Sequence, residues 1–270
     1  MNLLKKHFFG ETEAFQLGFG PVGPPVMSVF FYLIDGLLID TGQRNMRKYV
    51  TELLRDKSPE QLVLTHHHED HSANAAAIRK LHGVRVMGHP LTVEKMLGPF
   101  NVLPYQHLIW GRAEKTDIIP LPPVVETRRF RFRPIHTPGH SKDHTVYLEE
   151  KNGWLFSGDL YLGDKIKFFR SDERIRDQIT SLQKVLESDF DALFCAHRPC
   201  LENGKVRLKN KLDFLEDFYG KVLMLSQKGF SEKAIIRDMG NGSDRFAKWL
   251  TMGNVSFANM VRSAIRDSRS

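Results

Sequence analysis

Short apolar runs separated by turn residues fill the first 200 residues, a pattern typical of strands joined by tight connections. Residues 29–34 and 37–40 are apolar and flank an Asp-Gly dipeptide that is suited to two positive φ angles. They therefore predict a β-hairpin. Residues 144–149 and 154–157, separated by a Lys-Asn-Gly turn, predict a second hairpin.

Other segments of this part of the chain predict single strands and helices. Short apolar stretches predict strands at residues 61–65, 84–87, 130–133 and 192–195. Residues 73–81, which are rich in alanine, and residues 175–186 predict helices. Residues 98–123 are rich in proline and aromatic side chains and have no period, so we expect a loop over a pocket.

The pattern changes after Gly204. Apolar residues recur at spacings of three and four from Leu208 to Val222, which predicts an amphipathic helix that ends near Gly229. Shorter helical segments follow. We therefore divide the chain into residues 1–205 and a helical region, residues 206–270.

Composition and charge narrow the class of protein. The 270 residues are 41% hydrophobic and contain two cysteines, too few for a disulfide framework. No apolar run is long enough for a signal peptide or a membrane span, so we expect a cytoplasmic protein without a membrane partner.

The net charge is +7, and residues 205–270 hold 13 Lys or Arg against 7 Asp or Glu. This basic region indicates either an anionic partner such as nucleic acid or a solvated helical surface. The oligomeric state is not encoded legibly.

Candidate chemistry is concentrated in one histidine cluster. Four of the twelve histidines lie within residues 66–71, directly after a predicted buried strand. His66 and His68 point to the same side of an extended segment, which is an arrangement of metal ligands. Asp70 and His71 follow where the chain turns toward a helix, and they can serve a second centre. His67 points the opposite way and is interpreted as a non-ligand.

Three further candidates, His140, Asp159 and His197, each follow a predicted strand. Loops at strand ends are where a sheet presents chemistry, so a shared metal site explains all seven residues together. Cys195 and Cys200 flank His197 and are interpreted as non-ligands.

Five segments carry a family resemblance: Asp40-Thr41-Gly42, Thr65-His66-x-His68-x-Asp70-His71, Pro138-Gly139-His140, Gly158-Asp159 and His197. In this order and spacing they resemble the metallo-β-lactamase-fold superfamily over residues 15–200. The resemblance implies an α+β fold, a four-layer αββα sandwich, with residues 1–205 as the catalytic domain and a C-terminal helical extension. It implies that His66, His68 and His140 hold one metal. It implies that Asp70, His71 and His197 hold the other, with Asp159 bridging the two and Asp40 orienting a ligand from behind.

The donor set indicates the chemistry. Nitrogen and hard oxygen donors suit two divalent ions, zinc first, with iron or manganese as alternatives. Two ions about 3.5–4 Å apart share a bridging water and lower its pKa, and the resulting hydroxide attacks a carbonyl or phosphorus. Asp70 is the candidate catalytic residue, because it is placed to orient this nucleophile or move its proton.

The resemblance also limits the branch of the superfamily. A lactamase site of the cysteine-containing type would have a cysteine at the position of Asp159. The nuclease branch carries a large inserted domain, which needs more than the 37 residues between Asp159 and His197. The diiron oxygen-reducing branch typically has Glu at the position of His68. The remaining branches are glyoxalase II-like or lactonase-like hydrolases and the related β-lactamase-like endoribonuclease. A non-catalytic metal protein and a mononuclear iron enzyme that oxidises sulfur remain alternatives.

The leading hypothesis is hydrolysis of a small ester, thioester or lactone that carries an anionic group. Candidate substrate contacts are His144, Lys165, Lys167 and Phe168, the last three by their similarity to a lysine and aromatic pair of glyoxalase II-like enzymes. The alternative is cleavage of single-stranded RNA or another phosphodiester. The basic C-terminal region, or the arginines at positions 128, 129, 131 and 133, would then contact phosphates.

Overall fold

The computed structural model describes residues 1–240 and 242–268, and two β-sheets packed face to face form its centre. The seven strands of the first sheet are β1 (Asn2–Phe9), β2 (Thr12–Phe19), β3 (Val29–Ile34), β4 (Leu37–Ile39), β5 (Gln61–Val63), β6 (Arg85–Gly88) and β7 (Ile119–Pro120). They neighbour one another in chain order, antiparallel from β1 to β4 and parallel from β4 to β7.

The second sheet contains β8 (Val125–Glu126), β9 (Arg131–His136), β10 (Thr145–Glu149), β11 (Trp154–Gly158) and β13 (Ala192–Cys195). Their order is β13-β11-β10-β9-β8, and only β13 and β11 run parallel among these described strands. A separate antiparallel pair joins β12 (Phe169–Arg170) to β14 (Val255–Ser256).

Most of the ten described helices cover the outer faces of the two sheets. The ten are α1 (Arg47–Leu54), α2 (Glu69–Ser72), α3 (Ala75–His82), α4 (Pro90–Met96), α5 (Pro104–Ile109), α6 (Ile175–Leu186), α7 (Gly204–Gln227), α8 (Glu232–Met239), α9 (Arg245–Leu250) and α10 (Phe257–Asp267). A 3₁₀ turn, Arg44–Met46, precedes α1. No helix in the described ranges combines the length and the apolar character that crossing a membrane requires.

Three buried clusters establish the layers. Aromatic side chains of both sheets, including Tyr32, Phe156 and Phe194, fill the space between them, and the last two rings stack with centroids 4.6 Å apart. Side chains of α1 and α3 pack on the first sheet. Side chains of α6, α7, α8 and α10 pack on the second. The predicted αββα sandwich with a C-terminal helical extension is therefore confirmed.

The local predictions hold where turn chemistry or periodicity was strong. The first hairpin forms, and its Asp35 and Gly36 have φ of 45° and 81°. Helix α6 occupies residues 175–186 as predicted, and α7 ends two residues before Gly229.

The loop predicted for residues 98–123 is partly wrong, because the segment contains α5 and β7. Pro104 occupies the first turn of α5, where its missing N–H costs no hydrogen bond. The side chain of Gln106 accepts a hydrogen bond from the backbone N–H of Leu103 at 2.8 Å. A helix of six residues is too short to show a period in the sequence.

The C-terminal helices share a core with the second sheet. Leu208 and Leu212 of α7 lie in one buried cluster with Leu193 of β13 and Val185 of α6. Every one of these side chains is less than a tenth exposed. The division near residue 205 stays a prediction.

The charged side chain of Lys211 in α7 is buried in this core. Its side chain is 1% exposed, and its Nζ donates a hydrogen bond to the carbonyl oxygen of Leu160 at 2.7 Å. Burial lowers the pKa of Lys211 to about 8, against the opposing effect of Glu173 and Asp159. The lysine therefore ties α7 to the loop that follows β11.

We expect Lys211→Met to raise the free energy of unfolding by about 2 kcal/mol at pH 7, since each unit of lowered pKa costs about 1.4 kcal/mol and the lost hydrogen bond returns about 1 kcal/mol. Below pH 8 the buried Lys211 is charged, and the wild type bears the full free-energy cost of that charge. The cost falls as the pH rises toward the ordinary pKa of lysine, so the stability advantage of the variant disappears by pH 10. Urea unfolding at pH 7 and pH 10 measures both, with the exposed Lys209→Met as control. A variant equally destabilised at both pH values would contradict the expectation.

Candidate metal centre

Three histidine nitrogens form the first cluster. His66 and His68 lie in the loop between β5 and α2, with His66 Nε2 2.8 Å from His68 Nδ1. His140 lies in the turn between β9 and β10, and its Nε2 is 3.0 Å from His68 Nδ1. The preceding Gly139 has φ of 132°, and a Cβ there would lie 2.5 Å from the backbone nitrogen of Gln178. Only glycine fits this turn, which brings His140 to the first cluster.

Asp70, His71 and His197 form the second cluster. Asp70 and His71 are in α2, and Asp70 Oδ2 lies 3.7 Å from His71 Nε2 and 3.5 Å from His197 Nε2. His197 follows β13, and its Nδ1 donates a hydrogen bond to the carbonyl oxygen of Ser28 at 2.7 Å. That bond leaves Nε2 of His197 directed to the cluster.

Asp159 stands between the two clusters. Its Oδ1 lies 3.4 Å from His71 Nε2 and 3.3 Å from His197 Nε2, while its Oδ2 lies 3.3 Å from His140 Nε2. It directly follows Gly158, whose φ is 47° and where a Cβ would lie 2.8 Å from His144 Nε2. One carboxylate therefore faces both clusters, as a bridging ligand would.

The residues fit a dinuclear metal site. The ligand atoms within each cluster lie within 4.8 Å of one another. Among the described residues, His71 Nε2 and Asp159 Oδ1 are buried without a hydrogen-bond partner, a costly arrangement that a coordinated cation relieves. Imidazole nitrogens with carboxylate oxygens suit zinc, iron or manganese.

The electrostatics of the second cluster favour a cation. Burial alone would lower the pKa of His71, but the carboxylates of Asp70, Asp159 and Asp40 raise this pKa well above its ordinary value. The same negative field that holds a proton on an imidazole attracts a divalent ion.

Asp40 lies behind His71, on the side of the ring away from the cluster. Asp40 Oδ2 is 2.8 Å from His71 Nδ1, so it orients the ring with Nε2 toward the cluster. The backbone N–H and the hydroxyl of Thr65 each donate to this carboxylate at 2.8 Å. Asp40 thereby links β4 to the end of β5.

His67, interpreted as a non-ligand, is directed away from both clusters. Its Nδ1 lies 2.9 Å from Asp143 Oδ1, and its backbone N–H donates to Asp143 Oδ2 at 2.9 Å. Cys195 is also outside the clusters, because its buried thiol donates to the carbonyl oxygen of Tyr161.

Three of the four expected substrate contacts lie elsewhere. His144 is fully buried behind Asp159; its Nδ1 is 2.8 Å from the Thr137 hydroxyl, and its Nε2 accepts from the Asp159 N–H at 3.0 Å. The expected substrate contact of His144 is therefore wrong, since neither ring nitrogen is free for a ligand. Lys165 and Lys167 are exposed and do not line the cavity beside the metal centre, and their role as substrate contacts stays a prediction. Phe168 does line this cavity.

The cavity beside the metal centre has a volume of about 370 Å³. Side chains of Asp70, His140, Asp159 and His197 lie on its wall. The rest of the wall is mostly apolar and comes from the β2–β3 loop, the α5 region, the segment after β11, and residues 243–255.

Sequence reasoning missed Arg170 and Glu173, which also line the cavity. The only hydrogen bond that the Arg170 guanidinium makes to the described residues runs from Nε to Asp172 Oδ1, at 3.2 Å. Glu173 accepts from the Arg170 N–H at 2.9 Å and from Gln178 Nε2 at 2.7 Å, and its Oε2 lies 3.6 Å from His140 Nδ1. The available signal was an Arg and a Glu shortly after the two lysines, within a segment of mixed charge.

Fold and site together define an αββα protein with two adjoining His/Asp clusters suited to divalent ions. The family model of the metallo-beta-lactamase superfamily matches residues 24–197. The chain therefore belongs to this superfamily, as the sequence resemblance implied.

Several curated proteins are similar to the chain. The Beta-lactamase-like protein 2 homolog of Drosophila melanogaster is 27% identical over 213 residues, which cover 70% of this chain and 66% of that protein. The Atrochrysone carboxyl ACP thioesterase of Passalora fulva is 24% identical over 65% of this chain and 49% of its own. The Hydroxyacylglutathione hydrolase of Pseudomonas putida is 26% identical over 53% of this chain and 49% of its own. The chain thus spans between about half and two thirds of the length of these relatives.

Solved structures share the fold over nearly the whole chain. A metallo-beta-lactamase family protein from Thermus thermophilus has a TM-score of 0.63 at 18% identity and covers 99% of this chain and 93% of its own. A beta-lactamase domain protein from Burkholderia ambifaria has a TM-score of 0.68 at 13% identity, over 96% of this chain and 86% of its own. The shared fold therefore includes the C-terminal helices.

We expect Asp40→Asn to weaken metal binding about 10- to 100-fold, because the asparagine amide has one acceptor oxygen in place of the two carboxylate oxygens that bond to Thr65 and His71. Competition of the purified protein with a chromophoric chelator measures the affinity. Asp56→Asn, an exposed change between α1 and β5, is the matched control. If Asp40→Asn and Asp56→Asn bound metal with equal affinity, Asp40 would have no role in supporting the metal centre.

Proposed function

We propose that the protein is a metal-dependent hydrolase of a thioester. The observation that carries this proposal is the placement of Asp159 between two nitrogen-rich clusters on the wall of a largely apolar cavity. Two relatives support the thioester over an ester or lactone, since one is named a hydroxyacylglutathione hydrolase and another an ACP thioesterase. Zinc is the proposed metal, with iron or manganese as alternatives.

His66, His68 and His140 would hold one metal, and Asp70, His71 and His197 the other, with Asp159 shared between them. When bound, the two ions would supply a water of lowered pKa and polarise the carbonyl oxygen of the thioester. Asp70 lines the cavity, and its carboxylate would take a proton from the attacking water. The water oxygen bonds to the carbonyl carbon, the carbon–sulfur bond breaks, and Asp70 returns the proton to the departing sulfur.

Phosphodiester cleavage is less well supported, because much of the basic charge is already paired. Arg207 lies 3.0 Å from Asp164, Lys221 lies 2.6 Å from Asp217, and Lys209 pairs with Asp213. The arginines of the region around β9 also have acidic partners, in the pairs Arg128–Glu60, Arg129–Glu11, Arg131–Glu126 and Arg133–Glu150. The surface therefore offers RNA fewer free cations than the sequence predicts.

Metal-loaded protein is expected to hydrolyse a thioester in a panel that also contains esters, lactones, a phosphodiester and single-stranded RNA. His68→Ala should lower thioester turnover at least about 100-fold. Loss of a residue that binds the metal directly should reduce activity at least as much as loss of a residue that only hydrogen-bonds to a metal ligand. A chelator should abolish turnover, and zinc, iron or manganese should restore it. The exposed His107→Ala is the control. RNA cleavage without thioester turnover would reverse the order of the two functions.

Arg170 is the proposed anchor for an anionic group of the substrate, in place of Lys165 and Lys167. It lies on the cavity wall, and its two terminal amino groups, Nη1 and Nη2, donate to no described residue. A guanidinium fork matches a carboxylate or a phosphate.

We expect the ratio of kcat/KM for an anionic thioester to that for its neutral isostere to fall about 10- to 100-fold in Arg170→Gln, the range for a hydrogen bond to a charged group. Steady-state kinetics on the substrate pair measures this ratio, with Lys167→Gln as the control. A wild type without preference for the anionic substrate would contradict the assignment.

A further inference from the structure

We infer that the substrate carries an extended apolar acyl chain and that Phe246 and Leu250 of α9 set the length the protein accepts. This inference rests on the proposed thioester hydrolysis, and it names the chemical class of the acyl group. It follows from the wall of the cavity, from side chains exposed at its opening, and from the way residues 243–255 are attached.

The wall of the cavity is unsuited to a polar acyl group. Apolar side chains from four separate segments line it beyond the metal centre, among them Met27, Trp110, Leu162, Phe168, Phe246 and Leu250. Besides the clusters themselves and Arg170, the polar side chains on this wall include Glu173, Tyr105 and Thr251, which already bond to Gln178, Asn254 and the Ala247 carbonyl oxygen. A hydroxylated or amidated acyl group would lose its water without gaining partners there, whereas a hydrocarbon chain would not.

Apolar side chains also remain exposed where the cavity opens. Phe246 is 62% exposed and Val26 is 60% exposed, and both line the cavity although they are far apart in the sequence. Met27 beside Val26 is 43% exposed. Single exposed apolar residues are ordinary, but two segments that present them to one cavity indicate an apolar ligand that extends between them.

The C-terminal part of the wall is fixed to the rest of the site. Asn254 Nδ2 donates to the Tyr105 hydroxyl at 2.7 Å, and Tyr105 also lines the cavity. Strand β14 pairs with β12, with Arg170 opposite Val255. The Phe257 N–H donates to Asp244 Oδ2 at 2.7 Å, and this hydrogen bond joins the two ends of the segment that contains α9. Phe246 and Leu250 are therefore held over the cavity by a built support.

The apolar wall predicts a measurable dependence on chain length. Burying one methylene group raises a binding constant about fourfold. The value of kcat/KM should therefore rise by up to about fourfold for each methylene added to the acyl chain. The rise should stop once the chain fills the cavity, and it should appear mainly in KM, because the wall contacts the chain equally in the ground state and in the transition state.

The experiment uses the metal-loaded full chain and thioesters of one thiol, from acetyl to dodecanoyl. We expect Leu250→Ser and Phe246→Ser each to flatten the rise of kcat/KM with length. Phe230→Ser is the matched control, because Phe230 is 47% exposed and is not on the cavity wall. If Leu250→Ser does not fold, the exposed Phe246 still provides the test.

A second measurement is inhibition by the free carboxylates of the same series, which should strengthen with chain length in the wild type. Wild-type thioester turnover that is independent of length would overturn this inference and leave the proposed function standing. Absence of turnover on every thioester would instead overturn the proposed function. If Phe230→Ser flattened the rise to the same degree as Leu250→Ser, the effect would not come from the cavity wall.

Discussion

The position of the Asp159 carboxylate is the constraint on which the rest of the site depends. It must face histidines from helix α2, from the β9–β10 turn and from the loop after β13, and it is buried, so its backbone has to be held firmly. His144 accepts the Asp159 N–H, and Lys211 takes the next carbonyl oxygen, that of Leu160. Support therefore comes from the second sheet on one side and from α7 on the other. A buried histidine and a buried lysine, neither on the cavity wall, serve this purpose.

The C-terminal helix α10 supports another part of the same site. Ser263 and Arg266 of α10 both donate to the carbonyl oxygen of Glu173, whose side chain lies beside His140. Asn259 of the same helix donates to the carbonyl oxygen of Phe169. The segment that carries Phe168, Arg170 and Glu173 thus takes its shape from α10. The buried side chains of this region therefore help to position the wall of the cavity.

Different parts of the site were predictable to different degrees. His66 and His68 could be paired from the alternation of side chains along an extended segment, and the clustering of histidines drew attention to their loop. His140, Asp159 and His197 could be proposed because each follows an apolar strand. The expectation for Lys165 and Lys167 as substrate contacts rests on similarity of type and spacing alone, and the chain turns so that Arg170 lines the cavity instead. Side-chain direction in an irregular segment has no period, so spacing could not determine it.

The sequence by itself determined two β-hairpins, the order of the strands that carry ligand candidates, and the residue types suited to divalent ions, whereas the two-sheet sandwich was implied by the family resemblance. It did so because period-two alternation, Asp-Gly turns and local clusters of donors are properties of neighbouring residues. Tertiary structure alone decided that His144 lies behind Asp159, that Arg170 faces the cavity, and that α9 completes an apolar wall. These outcomes depend on contacts between segments distant in the chain, and such contacts are set by packing of the whole core rather than by local preference.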